Sequence, residues 1–176
     1  MAGRVAGGLY FDGVNDQVSA PRVIPAHDYR ALTVDAWIRP SSTSSNDRTI
    51  VDFGGGMYTL ILEGNQLRFA HQAMPTSFAP ITTTANIPIN QWTHVAVVAD
   101  PVARQFRFYR NGAFVSAHNT GFYNPTGYYT GASWTIGNGF GFPFHGIVDE
   151  VEIFERVLAQ SEIQSIFAAG ASGKCK

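Results

Sequence analysis

The sequence predicts an all-β chain, an antiparallel sandwich or barrel with a short C-terminal helix. Three observations carry this. Apolar side chains recur with a period of two over most of the 176 residues, the signature of half-buried strands. Turn dipeptides separate these runs about every eight to twelve residues. A helical spacing appears only at the end, so neighbouring strands pair without crossover helices and the sheets are antiparallel.

The elements follow in order. Gly8-Leu9-Tyr10-Phe11 runs into the turn dipeptide Asp12-Gly13, and Gln17 to Pro21 is extended again. Leu32, Val34, Ala36 and Ile38 share one strand face, and Thr33, Asp35, Trp37 and Arg39 the other. Pro40 ends that strand because proline cannot donate to a ladder. Ser41 to Asp47 is a polar loop, Thr49 to Phe53 a strand, and Gly54-Gly55-Gly56 a turn or bulge. Tyr58 to Leu62, Gly64-Asn65 and Leu67 to His71 read as a hairpin, with Ile81 to Ile87 weakly strand-like. Trp92 to Ala99 is the most apolar strand and Asp100-Pro101 closes it.

Gln105 to Tyr109, Asn111-Gly112 and Phe114 to His118 form the clearest hairpin, since Asn-Gly accepts the positive φ angles of a type I′ turn. Gly121 to Gly131 is a loop rich in Tyr, Phe and Gly. Trp134 to Ile136 and Gly146 to Phe154 are the last strands. Glu162, Ile163, Ile166 and Phe167 then fall at helical spacing, and Gly170 stands where a left-handed C-cap belongs. We expect one domain over 1–176, with one face of each sheet in a shared core and the other wet. One outer face can curve into a groove for an extended ligand.

Composition limits the function classes. Twelve Lys and Arg against thirteen Asp and Glu give a net charge of −1, which argues against a basic nucleic-acid-binding face or a polybasic membrane anchor. No apolar run is long enough to span a membrane. Met1-Ala2-Gly3-Arg4 lacks an apolar signal region, so the chain is either retained inside or a domain of a longer exported protein. The single Cys175 has no partner for an internal disulfide. It reads as an incidental terminal thiol or as a bridge to another chain.

Five motifs occur in an order that resembles a known family. They are Leu9-Tyr10-Phe11-Asp12-Gly13-Val14-Asn15-Asp16, Leu32-Thr33-Val34-Asp35-Ala36-Trp37-Ile38, Gln91-Trp92-Thr93-His94-Val95-Ala96-Val97-Val98, Phe108-Tyr109-Arg110-Asn111-Gly112, and Gly146-Ile147-Val148-Asp149-Glu150-Val151 with Leu158 and Glu162-Ile163. Together they resemble the laminin-G-like, concanavalin A-like jelly rolls, which implies an antiparallel two-sheet jelly-roll sandwich, a fold that hosts lectins, pentraxins, adhesion modules and glycosidases. In that family a Ser or Thr caps the terminal helix three residues before the Glu. Ala159 stands there instead, leaving Glu162 with half of a capping box.

The resemblance also implies a structural calcium ion where the first turn meets the last strand, with Asp12 and Asp149 supplying side chains and backbone carbonyls nearby. Asp12-Gly13-Val14-Asn15-Asp16 offers oxygen ligands of the kind calcium takes. The same residues also suit plain turn chemistry.

Catalysis finds little support. Glycoside hydrolysis needs two carboxyl groups about 5–5.5 Å or 6.5–9.5 Å apart. Glu150 and Glu152, two apart on a strand, would share a face with Cα atoms roughly 6.5–7 Å apart. The glucanase branch carries Glu-x-Asp-x-x-Glu or Glu-x-Asp-x-Glu on a central strand, whereas this run stands on the closing strand without the middle Asp. The five His are scattered, and His94 reads as a packed histidine.

Sugar recognition uses aromatic platforms with planar hydrogen-bonding groups. Phe122, Tyr123, Asn124, Tyr128, Tyr129 and Trp134 cluster in the sequence, followed by Asn138, Phe140, Phe142, Phe144 and His145. They are either a binding platform or a cap on the end of the sandwich. We expect Tyr123, Asn124, Tyr128, Tyr129, Trp134, Asn138 and His145 to be ligand-binding. A second set, Tyr58, Arg68 and His71, would face the groove, although Arg68 and His71 are three apart and cannot share a regular strand face. The expectation is a non-catalytic, extracellular carbohydrate-binding module with a glycan as partner. The alternatives are a protein–protein adhesion module with no sugar site, or a glycosidase using Glu150 and Glu152.

Overall fold

The computed structural model describes residues 1–21, 31–42, 47–53, 58–73, 77–119, 133–139 and 141–172. Among the described residues, twelve strands form two six-stranded antiparallel sheets. The first sheet contains β1 (Leu9–Asp12), β3 (Leu32–Pro40), β8 (Thr93–Asp100), β9 (Gln105–Arg110), β10 (Ala113–Asn119) and β12 (His145–Phe154), in the order β1-β12-β3-β8-β9-β10. The second contains β2 (Val18–Ala20), β4 (Asp47–Asp52), β5 (Tyr58–Glu63), β6 (Gln66–Ala73), β7 (Ser77–Asn86) and β11 (Trp134–Ile136), in the order β2-β11-β4-β5-β6-β7. One helix, α1 (Gln160–Ala169), follows β12. The predicted Gly54–Gly56 turn, the Gly121–Gly131 loop and Cys175 lie outside the described residues.

Alternation places the core. Val34, Ala36 and Ile38 of β3 and Val95, Val97 and Ala99 of β8 face Ile50, Leu60, Leu62, Leu67 and Phe69 of the second sheet, all essentially inaccessible. Each large aliphatic side chain so buried contributes about 1.5–3 kcal/mol. Tyr58 stacks on Phe69 (5.3 Å, 18°), and Phe106 meets both rings edge-on at 6.3 and 5.1 Å. Both hairpin turns have the expected backbone. Asn111 and Gly112 take φ of +50° and +74°, as type I′ requires, and Gly64 opens the β5–β6 turn at +58°.

The middle of the first sheet's outer face is not wet, contrary to the simple sandwich expectation, although Tyr10 and Phe114 on its edge strands are exposed. Thr33, Asp35, Trp37 and His94 are all buried, because α1 and the N-terminal segment cover them. Ile163 and Leu158 pack on Ala96, Val98 and Tyr109, and Phe167 stacks on Trp37 at 5.6 Å. The Arg4 guanidinium also sits over the Trp37 ring, 4.7 Å from its centroid. Thr33 donates its hydroxyl to the Arg156 carbonyl and accepts the Leu158 N–H. His94 is packed as expected, with Nε2 at 3.3 Å from Asp35 Oδ1.

Local departures have physical causes. β3 runs one residue further, to Pro40, whose register partner is Gly146. A side chain at Gly146 would stand 2.4 Å from the Arg39 carbonyl oxygen, so only glycine lets β12 approach there. Gly170 has positive φ (+49°) as expected of a C-cap, but its ψ of −131° leaves the left-handed helical basin. Its N–H donates to the Phe167 carbonyl as the chain enters the 3-10 turn Gly170–Ser172. Ala159 is the N-cap with no side-chain acceptor, and Glu162 accepts its N–H at 2.8 Å.

Candidate functional site

With α1 over the middle of the first sheet's outer face, the open cleft lies where strand ends of both sheets meet. In β4, β5 and β6 the register pairs Asp47 with Glu63 and Ile61 with Arg68. Asp47, Glu63 and Arg68 therefore project away from the core-facing Leu60, Leu62, Leu67 and Phe69. They meet the β1 turn (Asp12, Gly13), Ser42, Arg48 and the 141–145 segment around an open cleft of about 640 Å³.

Phe142 and His145 reach this cleft because the backbone around them is pinned at several points. The Gly137 N–H donates to the Ile50 carbonyl, the Thr49 N–H to the Phe142 carbonyl and the Phe144 N–H to the Gly137 carbonyl. Phe144 turns inward, inaccessible and edge-on to Phe11 at 6.4 Å. Phe142 turns outward and remains 39% exposed on the cleft wall.

His145 stands beside it, half-buried. Its Nδ1 lies 3.2 Å from the Ser42 hydroxyl and its Nε2 3.5 Å from the Tyr10 hydroxyl. Tyr10 meets the imidazole edge-on at 6.4 Å. Gly13 permits the contact, since a Cβ there would stand 2.8 Å from the His145 Cβ.

Charge in the cleft is ordered. Arg68 binds Asp47 at 2.7 Å and lies 3.8 Å from Glu63. Arg48 is 3% exposed and donates to the carbonyls of Ser42 and Gly64. Burial pulls its pKa down, yet a guanidinium stays charged in proteins. Arg48 thus ties the loop after β3 to the β5–β6 turn and fixes two walls of the cleft. Asp12 accepts the Val14 N–H at 2.8 Å while its own N–H donates to Asp16.

The predicted residues are distributed unevenly. His145, Asp12, Arg68 and Phe142 reach the cleft. Trp134 does not; it packs on the core, 5.1 Å from Phe53. Asn138 is half-buried in the preceding turn, where its carbonyl accepts the Thr135 hydroxyl. Phe122, Tyr123, Asn124, Tyr128, Tyr129 and Phe140 lie outside the described residues. Tyr58 is corrected from a groove residue to a core residue. Its register puts it with Leu60 and Leu62, on the opposite face from Arg68.

Asp12 and Asp149, expected to share a calcium ion, are not brought together. Asp12 pairs with His145, four residues along β12 from Asp149, roughly 13 Å at strand rise. Asp149 instead holds the N-terminal segment through the N–H groups of Arg4 (2.7 Å) and Val5 (3.0 Å). No group of three or more metal-ligating side chains converges among the described residues. The regular spacing expected of Glu150 and Glu152 is also absent. Glu150 takes a φ of +47° in a bulge between Asp149 and Glu152, which breaks the alternation that would align two carboxylates.

The sequence reading missed Ser42, Asp47, Arg48 and Glu63. They come from separate segments of the chain and share no local pattern.

A family model described as the concanavalin A-like lectin/glucanases superfamily matches residues 11–164. The chain belongs to this superfamily. None of the curated proteins matches the chain in sequence. Among solved structures, this lectin/glucanase-superfamily chain is similar to the CBM40 of a Ruminococcus gnavus IT-sialidase bound to α2,3 sialyllactose. The TM-score is 0.68 at 12% identity, over 91% of this chain and 96% of that one.

It is also similar to a putative carbohydrate-binding protein from Bacteroides ovatus, with TM-score 0.69, 18% identity, and 89% and 47% of the two chains covered. The binding domain of botulinum neurotoxin serotype D gives TM-score 0.73, 13% identity, and 94% and 43% coverage. The chain therefore spans nearly all of the first relative and under half of the other two. These likenesses establish the jelly-roll sandwich. The similar proteins are binding modules and binding domains.

Proposed function

We propose that this chain is a non-catalytic carbohydrate-binding module of an extracellular protein, and that the cleft of Asp12, Ser42, Asp47, Arg68, Phe142 and His145 holds the sugar. One observation carries the reading. An exposed aromatic ring, Phe142, shares an open cleft with convergent carboxylate, guanidinium and imidazole groups. Pyranose rings offer apolar C–H faces for such a ring and hydroxyl edges for such polar groups. The bulge at Glu150 supports a non-catalytic role, since it disrupts the best-placed carboxylate pair. The fit of the chain onto under half of two larger proteins supports a module within a longer chain.

A single shallow cleft binds weakly, and tandem copies or fusion to a catalytic domain would raise effective affinity. Isothermal titration with the strongest ligand from a glycan array tests the proposal. Phe142→Ala is expected to weaken binding at least about tenfold, about 1.4 kcal/mol, with the melting midpoint unchanged. Unaltered affinity in that variant, or no glycan bound at all, overturns the assignment. The latter would favour a protein partner.

A further inference from the structure

Resting on the reading of the cleft as a glycan site, we propose that its ligand is an uncharged, hydroxyl-rich sugar and that it selects against carboxylated and sulfated ones. Three carboxylates line the cleft, those of Asp12, Asp47 and Glu63, against the two guanidiniums of Arg48 and Arg68. Neither arginine presents an open fork. Arg68 meets Asp47 at 2.7 Å and Glu63 at 3.8 Å through one nitrogen, Nη1, and its Nε is buried, which closes both faces of the fork. Arg48 is buried, with its two terminal nitrogens on the carbonyls of Ser42 and Gly64.

Strong recognition of an anion takes a free bidentate guanidinium or a cluster of open donors. Here an incoming carboxylate or sulfate would meet a single Arg68 nitrogen, Nη2, in place of a fork, and would sit among like charges. A sugar hydroxyl meets the opposite situation. It donates to a fixed carboxylate in a charge-assisted hydrogen bond, and its oxygen accepts from Arg68 or from His145. Asp12 is exposed at the rim, so it favours hydroxyl donors and repels anions before contact. The similar CBM40 was solved with an acidic trisaccharide. The charge set of this cleft argues against carrying that ligand across.

The test is an array of neutral, sialylated and sulfated glycans, followed by titration of the best neutral ligand and of its sialylated or sulfated derivative. We expect neutral hits, with the acidic derivative at least about tenfold weaker. Asp47→Asn should narrow that gap. Raising sodium chloride from 50 to 500 mM should narrow it too, a measurement that holds even where Asp47→Asn fails to fold. Hits confined to acidic glycans and lost in Phe142→Ala would overturn the charge inference while leaving the sugar site standing. No binding to any glycan, or binding indifferent to Phe142→Ala, would sink the site itself and this inference with it.

Discussion

Gly137→Ala probes how the cleft-bearing connection is held. Gly137 has a φ of +85°, and a Cβ there would stand 2.0 and 2.1 Å from two carbons of the Phe11 ring. Phe11 is itself buried and edge-on to Phe144, so the ring has little room to yield. An L-residue at positive φ costs roughly 1–2 kcal/mol, and overpacking a tight core about 1–3 kcal/mol more. The expected loss is therefore roughly 2–5 kcal/mol, or a fall of about 4–20 °C in the melting midpoint for a chain of this size.

Gly64→Ala is the control. Gly64 also has positive φ (+58°), but a Cβ there would have nothing within 4 Å, so the variant carries only the backbone strain. Urea denaturation of both variants measures the difference. Equal losses at the two positions would refute the claim that the Phe11 ring seats on Gly137. In a Phe11→Ala background the steric part should vanish, giving a coupling of about 1–3 kcal/mol in the double-mutant cycle.

Other predictions concern the helix and the cleft walls. Ala159→Ser should restore the missing side-chain cap and stabilise the fold by roughly 0.5–1.5 kcal/mol, read as a raised urea midpoint. A lowered midpoint would count against the register. The Arg156 hydrogen bond, and then the Ala159 N–H, hold the Glu162 pKa at about 2 against its ordinary 4.5. Its contribution is thus fully present above pH 4.5 and fades as pH falls toward 2. Glu162→Gln should remove that component of the acid dependence, and an unchanged stability profile would refute the coupling. Arg48→Met should free the Ser42 and Gly64 carbonyls at a cost of about 1–3 kcal/mol. It should weaken glycan binding more than Arg48→Lys, which keeps one charged donor.

The fold was legible where local chemistry decides it. β3 alternates cleanly between Leu32 and Ile38, and Asn111-Gly112 dictates its own turn. The burial of both faces of β3 was not legible. Thr33, Asp35 and Trp37 look like a wet face in isolation, and only the return of α1 over them, more than a hundred residues later, closes it. Tyr58 was misplaced because face assignment depends on register, which β5 takes from its neighbours.

The cleft was half legible. Phe142 and His145 stood out in an aromatic-rich stretch. Asp47, Glu63 and Ser42 come from three separate segments that only the sheet order brings together, and no local pattern marks them. Glu150 shows the converse. Its bulge is a non-glycine residue at positive φ, which nothing in the sequence announces.

The most direct test of the sugar-binding cleft is a backbone amide NMR titration of the intact chain with its best array glycan. The account predicts shifts concentrated at Asp12–Gly13, Ser42, Asp47–Arg48, Arg68 and Gly141–Gly146. Shifts clustered instead on the helix side, around Trp37 and Phe167, or along β10 near Phe114, would contradict it.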